Sequence, residues 1–313
     1  MTYPSTLVDV ISEIVVGKPE AVELTVICLL AEGHLLIEDV PGTGKTTLAR
    51  ALAASLNARW KRIQFTPDLL PADITGTTVL DQRAQKFVFH PGPIFANVVI
   101  ADEINRASPK TQSALLEVMG ERTVTVDGTT HPVEQPFLVI ATQNPIDMEG
   151  TYALPEAQLD RFLMRISLGH LDPADELAVI QGHSAGRTVD HLRPVMDVRA
   201  VQQMIAMTAQ VRVAEVLGRY AVALAGATRR HRHVRHGAST RATLALIQAA
   251  RARACLHGRN YATADDVQVL AMPVLAHRLV LAPQAELEGV KQGDVVREAL
   301  QMTPAPDTAG SRR

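Results

Sequence analysis

The stretch Val40-Pro41-Gly42-Thr43-Gly44-Lys45-Thr46-Thr47 constrains this chain more than any other. It stands between a short apolar run, His34-Leu35-Leu36-Ile37-Glu38, and a helical pattern over Thr46 to Asn57 with Leu48, Leu52 and Leu56 at four-residue spacing. A strand, a glycine-rich turn and a helix in that order aim the unpaired N–H groups of the first helical turn at whatever sits in the turn. Glycines let the backbone wrap closely around an anion, Lys45 can reach the β- and γ-phosphates of a nucleotide, and the Thr46 hydroxyl can ligate Mg²⁺. The strict Walker A pattern has Gly where Asp39 stands, but the inner Pro-Gly-x-Gly-Lys-Thr is intact and its strand–loop–helix setting is the required one.

Further strands are expected at Arg62 to Phe65, Asn97 to Asp102, Phe137 to Thr142 and Arg165 to Leu168. The second and third of these are almost wholly apolar, as strands buried on both faces of a parallel sheet are. Strands alternating with helices imply an α/β layer fold. At roughly 150 residues per domain, 313 residues make about two domains. The break falls near His170-Leu171-Asp172-Pro173, after which strand signals stop and the chain becomes Ala-rich and helical. Val213, Val216, Leu217, Tyr220 and Leu224 trace one helix face. Ser239 opens a helix that ends at His257-Gly258, and Thr263-Ala264-Asp265-Asp266 is a capping box for another. The expected layout is an α/β domain over 1–171, a smaller all-α domain over 172–302 and a disordered tail over 303–313, with no internal repeat.

Asp102 and Glu103 end the apolar strand Val98 to Ala101. Ligands of parallel sheets sit at the carboxyl ends of strands, so both carboxylates are expected on the same rim as Lys45. There Asp102 is expected to hold Mg²⁺, through water, and Glu103 to polarise an attacking water. In-line phosphoryl transfer needs charge neutralisation and a positioned nucleophile, and little else.

Lys plus Arg is 31 and Asp plus Glu is 33, a net charge of −2, which counts against a dedicated nucleic-acid coat. Aromatics at 4% leave the core to Leu, Val, Ile and Ala and provide few platforms for stacking bases. Cys28 and Cys255 lie in apolar stretches and read as buried thiols in a reducing compartment. No apolar run reaches the roughly 18 residues of a membrane span, and the N-terminus has no signal-peptide pattern. A cytoplasmic protein is expected.

Several stretches together resemble the MoxR family of AAA+ ATPases over about Ser12 to Leu281: Glu38 to Thr46; Ala101-Asp102-Glu103-Ile104-Asn105-Arg106-Ala107; Ala141-Thr142-Gln143-Asn144-Pro145; Leu154 to Phe162; and Pro273-Val274-Leu275-Ala276-His277-Arg278. Asp39 is normal in that family. The resemblance implies a P-loop AAA+ parallel sheet flanked by helices, followed by a helical lid. It implies ATP and Mg²⁺ as ligands, with Pro41, Gly42, Thr43, Gly44, Lys45, Thr46, Thr47 and Asp102 holding the nucleotide, and Thr46 and Asp102 the metal. Val16 and Gly17 match the segment that lies along adenine. Asn144 matches sensor 1, which helps place the attacking water. Arg161 matches the arginine finger, which reaches the γ-phosphate of a neighbouring subunit. Arg241 matches sensor 2 on the lid, although most members have Pro where Thr240 stands; both residues suit the first helical position. Glu103, Asn144, Arg161 and Arg241 form the implied catalytic set.

The family's β-hairpins are expected at Thr77 to His90 and at Thr123 to His131, the latter turning at Asp127-Gly128. They read either as faces for substrates and partners or as surface decoration. The run Arg229-Arg230-His231-Arg232-His233-Val234-Arg235-His236 has three readings: a solvated loop, a contact to nucleotide, subunit or acidic partner, or a histidine metal site. The function implied by the resemblance is a remodelling ATPase, assembled as a homo-oligomeric ring of six subunits, that matures or activates protein complexes with a separate von Willebrand factor A domain protein. A magnesium-chelatase-like motor subunit, a nucleic-acid motor and a non-hydrolysing scaffold are the alternatives.

Overall fold

The computed structural model describes residues 4–40, 42–144, 151–184 and 186–306. Its strands are β1 (Leu35–Glu38), β2 (Trp60–Gln64), β3 (Gly76–Asp81), β4 (Lys86–Pro91), β5 (Val98–Asp102), β6 (Thr123–Val126), β7 (Thr129–Pro132), β8 (Leu138–Gln143), β9 (Met164–Ile166), β10 (Val234–His236) and β11 (Val280–Leu281). Its α-helices are α1 (Pro4–Ser12), α2 (Pro19–Leu30), α3 (Lys45–Ser55), α4 (Pro71–Thr75), α5 (Pro109–Glu121), α6 (Glu156–Leu159), α7 (Pro173–Ser184), α8 (Val198–Gln210), α9 (Glu215–Arg230), α10 (Thr240–Leu256), α11 (Ala264–Leu275), α12 (Pro283–Leu287) and α13 (Gln292–Met302).

The central sheet runs β2-β5-β8-β1-β9, and every pairing in it is parallel. Each expected strand is present within two residues of its predicted ends. Because side chains alternate along a strand, Leu35, Ile37, Val98, Ile100, Leu138 and Ile140 face one core. Leu36, Val99, Ala101, Val139 and Ala141 face the other, against Leu115, Leu116 and Met119 of α5. The first core continues without a break into the lid, where α10 packs on α2, α8, α9 and α11. The buried alanines of α10, Ala242, Ala245, Ala249 and Ala252 among them, keep its surface low enough for several helices to approach it.

Both caps read from the sequence are formed. Ser239 Oγ accepts the Ala242 N–H at 3.2 Å, and Thr263 and Asp266 cap each other reciprocally. Two readings need correction. Val216 is exposed; the buried face of α9 is Leu217, Tyr220, Ala221 and Leu224, one position round from where Val216 points, and Val213 precedes the helix. The lid is also not purely helical, because β10 and β11 pair as a short antiparallel ribbon. Strands of three and two residues are too short to carry a period-2 signal.

Both hairpins are formed, β3 with β4 and β6 with β7, and Asp127 and Gly128 have the positive φ values (+49° and +77°) of the turn predicted there. They touch through Phe89 of β4, which stacks on His131 of β7 at 4.1 Å. Cys28 and Cys255 are free and buried, and burial pushes the Cys28 thiol far up in pKa. Thr303 is buried, and residues 307–313 of the expected tail lie outside the described residues. No described helix is long and apolar enough to cross a membrane.

Candidate nucleotide-binding site

The phosphate loop leaves β1 at its carboxyl end and opens α3. Gly42 and Gly44 have φ values of +88° and +89°, which L-residues rarely adopt, and a Cβ on either would meet nothing within 4 Å. The glycines are thus required by backbone conformation, and the space beside them is open for an anion. Pro41 lies outside the described residues. Lys45 Nζ donates to the carbonyls of Asp39 (2.7 Å) and Val40 (3.0 Å), at the start of its own loop.

Asp39, the departure from the strict pattern, fastens the loop to the segment after β9. Its Oδ2 accepts from the N–H groups of Leu168 (2.7 Å) and Gly169 (2.6 Å) and from Ser167 Oγ (3.3 Å); Oδ1 accepts from Val40 N (3.0 Å). Burial pushes this carboxyl up, but those donors outweigh it and hold it below the usual carboxylate value.

β8 lies between β1 and β5, so its end separates the loop from the acid pair. Thr142, at that end, donates from Oγ1 to Asp102 Oδ1 at 2.6 Å and accepts the Glu103 N–H at 2.9 Å. Glu103 sits at φ +55°, ψ +50°, a left-handed conformation that costs a non-glycine residue about 1–2 kcal/mol. β2 flanks β5 on the other side. Its Arg62 donates to Asp102 Oδ2 (Nη2 2.5 Å, Nε 3.1 Å) and to Gln64 Oε1 (2.9 Å). Glu103 Oε2 accepts from Gln64 Nε2 at 3.0 Å and pairs with Arg106 at 2.8 Å. Asn144 extends from β8 beside these groups, its carbonyl accepting from Asn105 Nδ2 at 3.3 Å.

Lys45, Thr46, Thr47, Asp102, Glu103 and Asn144 line one cavity of about 420 Å³. A second, of about 350 Å³, shares Gly42, Gly44 and Thr47 and is lined beyond them by Val16, Leu171 and Val179. One side of the loop therefore offers carboxylates, hydroxyls and a lysine, and the other a mainly aliphatic wall that also includes Lys18, His170 and Glu176. That division fits a nucleotide, with phosphates on the polar side and base on the aliphatic side. A hydroxyl and a carboxylate, Thr46 and Asp102, are the hard oxygen donors a Mg²⁺ ion takes. Gly17 has φ +75°, and a Cβ there would lie 2.2 Å from Asp175 Oδ2, so the segment after α1 is held tightly under α7.

Arg161 and Arg241 line neither cavity. Arg161 is exposed and lies over Gly120 of α5, its Nη1 donating to the Leu116 carbonyl at 2.7 Å. The Arg241 side chain is 69% exposed and stands 3.6 Å from Asp160. The two predicted arginines thus share one neighbourhood, apart from their own chain's phosphate loop. Thr142, Arg62, Gln64 and Arg106 were not singled out from sequence. The alternation Trp60, Arg62, Gln64 around buried Ile63 was a signal for the second and third.

The Arg/His run is largely built into the lid. Arg229 and Arg230 close α9, Val234 to His236 form β10, His231 pairs with Glu298 of α13 at 2.9 Å, and His233 stands 3.7 Å from Glu288. Among the described residues no group of three or more His, Cys, Asp or Glu is placed to hold a metal.

Residues 34–164 match the family described as ATPase family associated with various cellular activities (AAA), and residues 226–299 match the AAA lid domain. The chain is 46% identical over 299 residues to the uncharacterized protein YeaC of Bacillus subtilis, covering 96% of this chain and 93% of the relative. It is 41% identical to Chaperone MoxR1 of Mycobacterium tuberculosis (95% and 80% covered) and 31% identical to Protein MoxR of Methylorubrum extorquens (95% and 93% covered). A crystal structure of a candidate ATPase from Cytophaga hutchinsonii superimposes with a TM-score of 0.90 at 37% identity, covering 96% of this chain and 94% of that one.

Proposed function

Since this chain belongs to the MoxR-type AAA+ ATPases, we propose that it binds Mg²⁺ and ATP at the loop and acid pair and hydrolyses the nucleotide to remodel protein complexes. The observation that carries this reading is the tie between the two halves of the site. Thr142, on the strand between them, holds Asp102 and Glu103 on the rim where the phosphate loop opens.

Within this reading Gly42, Thr43, Gly44 and the N–H groups opening α3 cradle the phosphates, and Lys45 exchanges its bonds to the Asp39 and Val40 carbonyls for phosphate oxygens. Thr46 and Asp102 would hold Mg²⁺, which would supply charge neutralisation at the phosphates; Asp102 Oδ2 here accepts from Arg62. Glu103 takes the proton of the attacking water, and Asn144 orients that water. Val16 and Gly17 border the base. Arg161 has no place in its own chain's cavity, so it serves a neighbour's γ-phosphate, which requires a ring; six subunits is the expected number. Arg241, on the same neighbourhood, belongs to that junction.

A separate von Willebrand factor A protein and a client complex are the proposed partners, and the cytoplasm the proposed compartment. The net charge of −2 favours protein clients over a nucleic-acid track. The two touching hairpins keep a chelatase-like motor as the second reading. The test is paired. Lys45→Ala should lose ATP binding. Glu103→Gln should bind ATP and hydrolyse it at least ~10²-fold more slowly. Unchanged nucleotide affinity in the first, or wild-type turnover in the second, contradicts the assignment.

A further inference from the structure

The segment that presents Arg161 is gripped from the lid. Arg278 follows α11, in the motif Pro273 to Arg278, and its side chain is only 3% exposed. Its Nε donates to Asp160 Oδ1 at 2.7 Å. Nη2 donates to the carbonyls of Phe162 (2.7 Å) and Asp160 (3.4 Å), and Nη1 to those of Leu163 (3.0 Å) and Val274. A guanidinium has five N–H donors in a fixed fork, and here each has an acceptor. His277, beside it and buried, makes a 3.1 Å bond from Nε2 to the Phe162 carbonyl. Burial holds that imidazole well below its usual pKa, so it is neutral and donates from Nε2.

These contacts surround Arg161 without touching it. They fix the residue before it, by side chain and carbonyl, and the two residues after it, by their carbonyls. Phe162 is itself fully buried, and Leu163 N donates to the His34 carbonyl at 2.8 Å, which anchors the segment to the sheet at β1. Asp160 has a second cation at its other oxygen, the exposed Arg241 at 3.6 Å. One carboxylate thus joins a buried arginine of the lid, an exposed arginine of the lid and the base of the arginine finger.

We infer that His277 and Arg278 are positioning residues that clamp the base of Arg161 to the lid, so that the finger offered to a neighbouring subunit is aimed by the lid of its own chain. This rests on the reading of Arg161 as a finger acting in trans. It assigns a task to the Pro273–Arg278 motif, which the nucleotide site does not use. It also assigns one to Asp160, the joint through which Arg241 can sense the same junction. Arg278→Lys keeps the charge but cannot reproduce the fork, so the finger should be misaimed while its own chain's phosphate loop is untouched.

The experiment measures nucleotide affinity and ATP turnover for Arg278→Lys and for Asp160→Asn, each alone and co-assembled with Glu103→Gln, with Arg161→Ala run in parallel. The expected result is unchanged nucleotide affinity and unchanged KM, with kcat lowered on the order of 10- to 100-fold, the scale of a ~1 Å misplacement of a reacting group. Turnover per Arg278→Lys subunit should then recover when Glu103→Gln subunits, whose fingers are intact, are its neighbours. Lost nucleotide affinity, or no recovery in mixed rings that rescue Arg161→Ala, overturns the clamp. If mixed rings fail to rescue Arg161→Ala itself, the trans-finger reading fails first. Should Arg278→Lys not fold, Asp160→Asn carries the same comparison from the other side of the pair.

Discussion

Individual side chains carry this site to different degrees of sequence legibility. The loop residues Gly42, Gly44, Lys45 and Thr46 were readable because their requirement is local: a backbone conformation and a strand–helix junction. Thr142, Arg62 and Gln64 were not, because their contacts with Asp102 and Glu103 depend on β5 lying between β2 and β8, and sheet order is not written in any one segment. Thr142 is the residue that holds both acids. Thr142→Val keeps its shape and removes both bonds. We expect turnover to fall at least ~10-fold with nucleotide binding retained, and stability to fall by about 1–3 kcal/mol for the partners left buried; phosphate release and urea unfolding measure the two. Gly120 offers a residue-scale test of the finger. A Cβ there would lie 2.4 Å from Arg161 Nη1, the far end of a long side chain that can move aside only by giving up its bond to the Leu116 carbonyl. Gly120→Ala, near the end of α5, should therefore leave stability within about 1 kcal/mol, the helix gain offsetting the lost bond, and still lower kcat. Unchanged kcat would detach Gly120 from the position of Arg161.

Elements whose period or cap was read in the sequence formed, whereas α5 and α8 were not read although Ser108 and Asp197 cap them. α3, α10 and α11 announced themselves by leucine spacing and by Ser239 and Thr263. The β10–β11 ribbon had no such signal and turns the Arg/His run from a loop into structure. The α10–α11 junction has its own electrostatic joint. Asp266 is fully buried and accepts from Arg253, Arg259 and the Thr263 N–H. Burial raises its pKa, but Arg259, Thr263 and Arg253 outweigh that and hold the carboxyl below the ordinary value. A folded pKa below the unfolded one gives stability that is complete above the unfolded value and lost as pH falls through the folded one. Stability should therefore decline below about pH 4, where an unfolded Asp titrates. Asp266→Asn should be less stable at neutral pH by about 3 kcal/mol, as expected when one member of a buried pair is removed. It should also lose less on further acidification. Denaturant midpoints at pH 7 and pH 3.5 test this; an equal acid loss in both proteins would remove Asp266 from the account.

At the scale of the molecule, two expected domains share one continuous hydrophobic core, so the lid is not a loosely tethered cap. Two of its arginines, Arg241 and Arg278, meet at Asp160, and neither lines the cavities at the loop of their own chain. Within one chain the cavity has the phosphate loop with Lys45, the acid pair and Asn144, but not Arg161. On the proposed reading that arginine is supplied by a neighbouring chain, which would make full turnover a property of the assembly. The most direct measurement is the rate of phosphate release per chain, at saturating Mg²⁺ and ATP, across chain concentrations over which light scattering follows the passage from monomer to ring. Turnover per chain should rise with assembly and be near zero for the monomer. A monomer that hydrolyses ATP at the full rate would contradict the account.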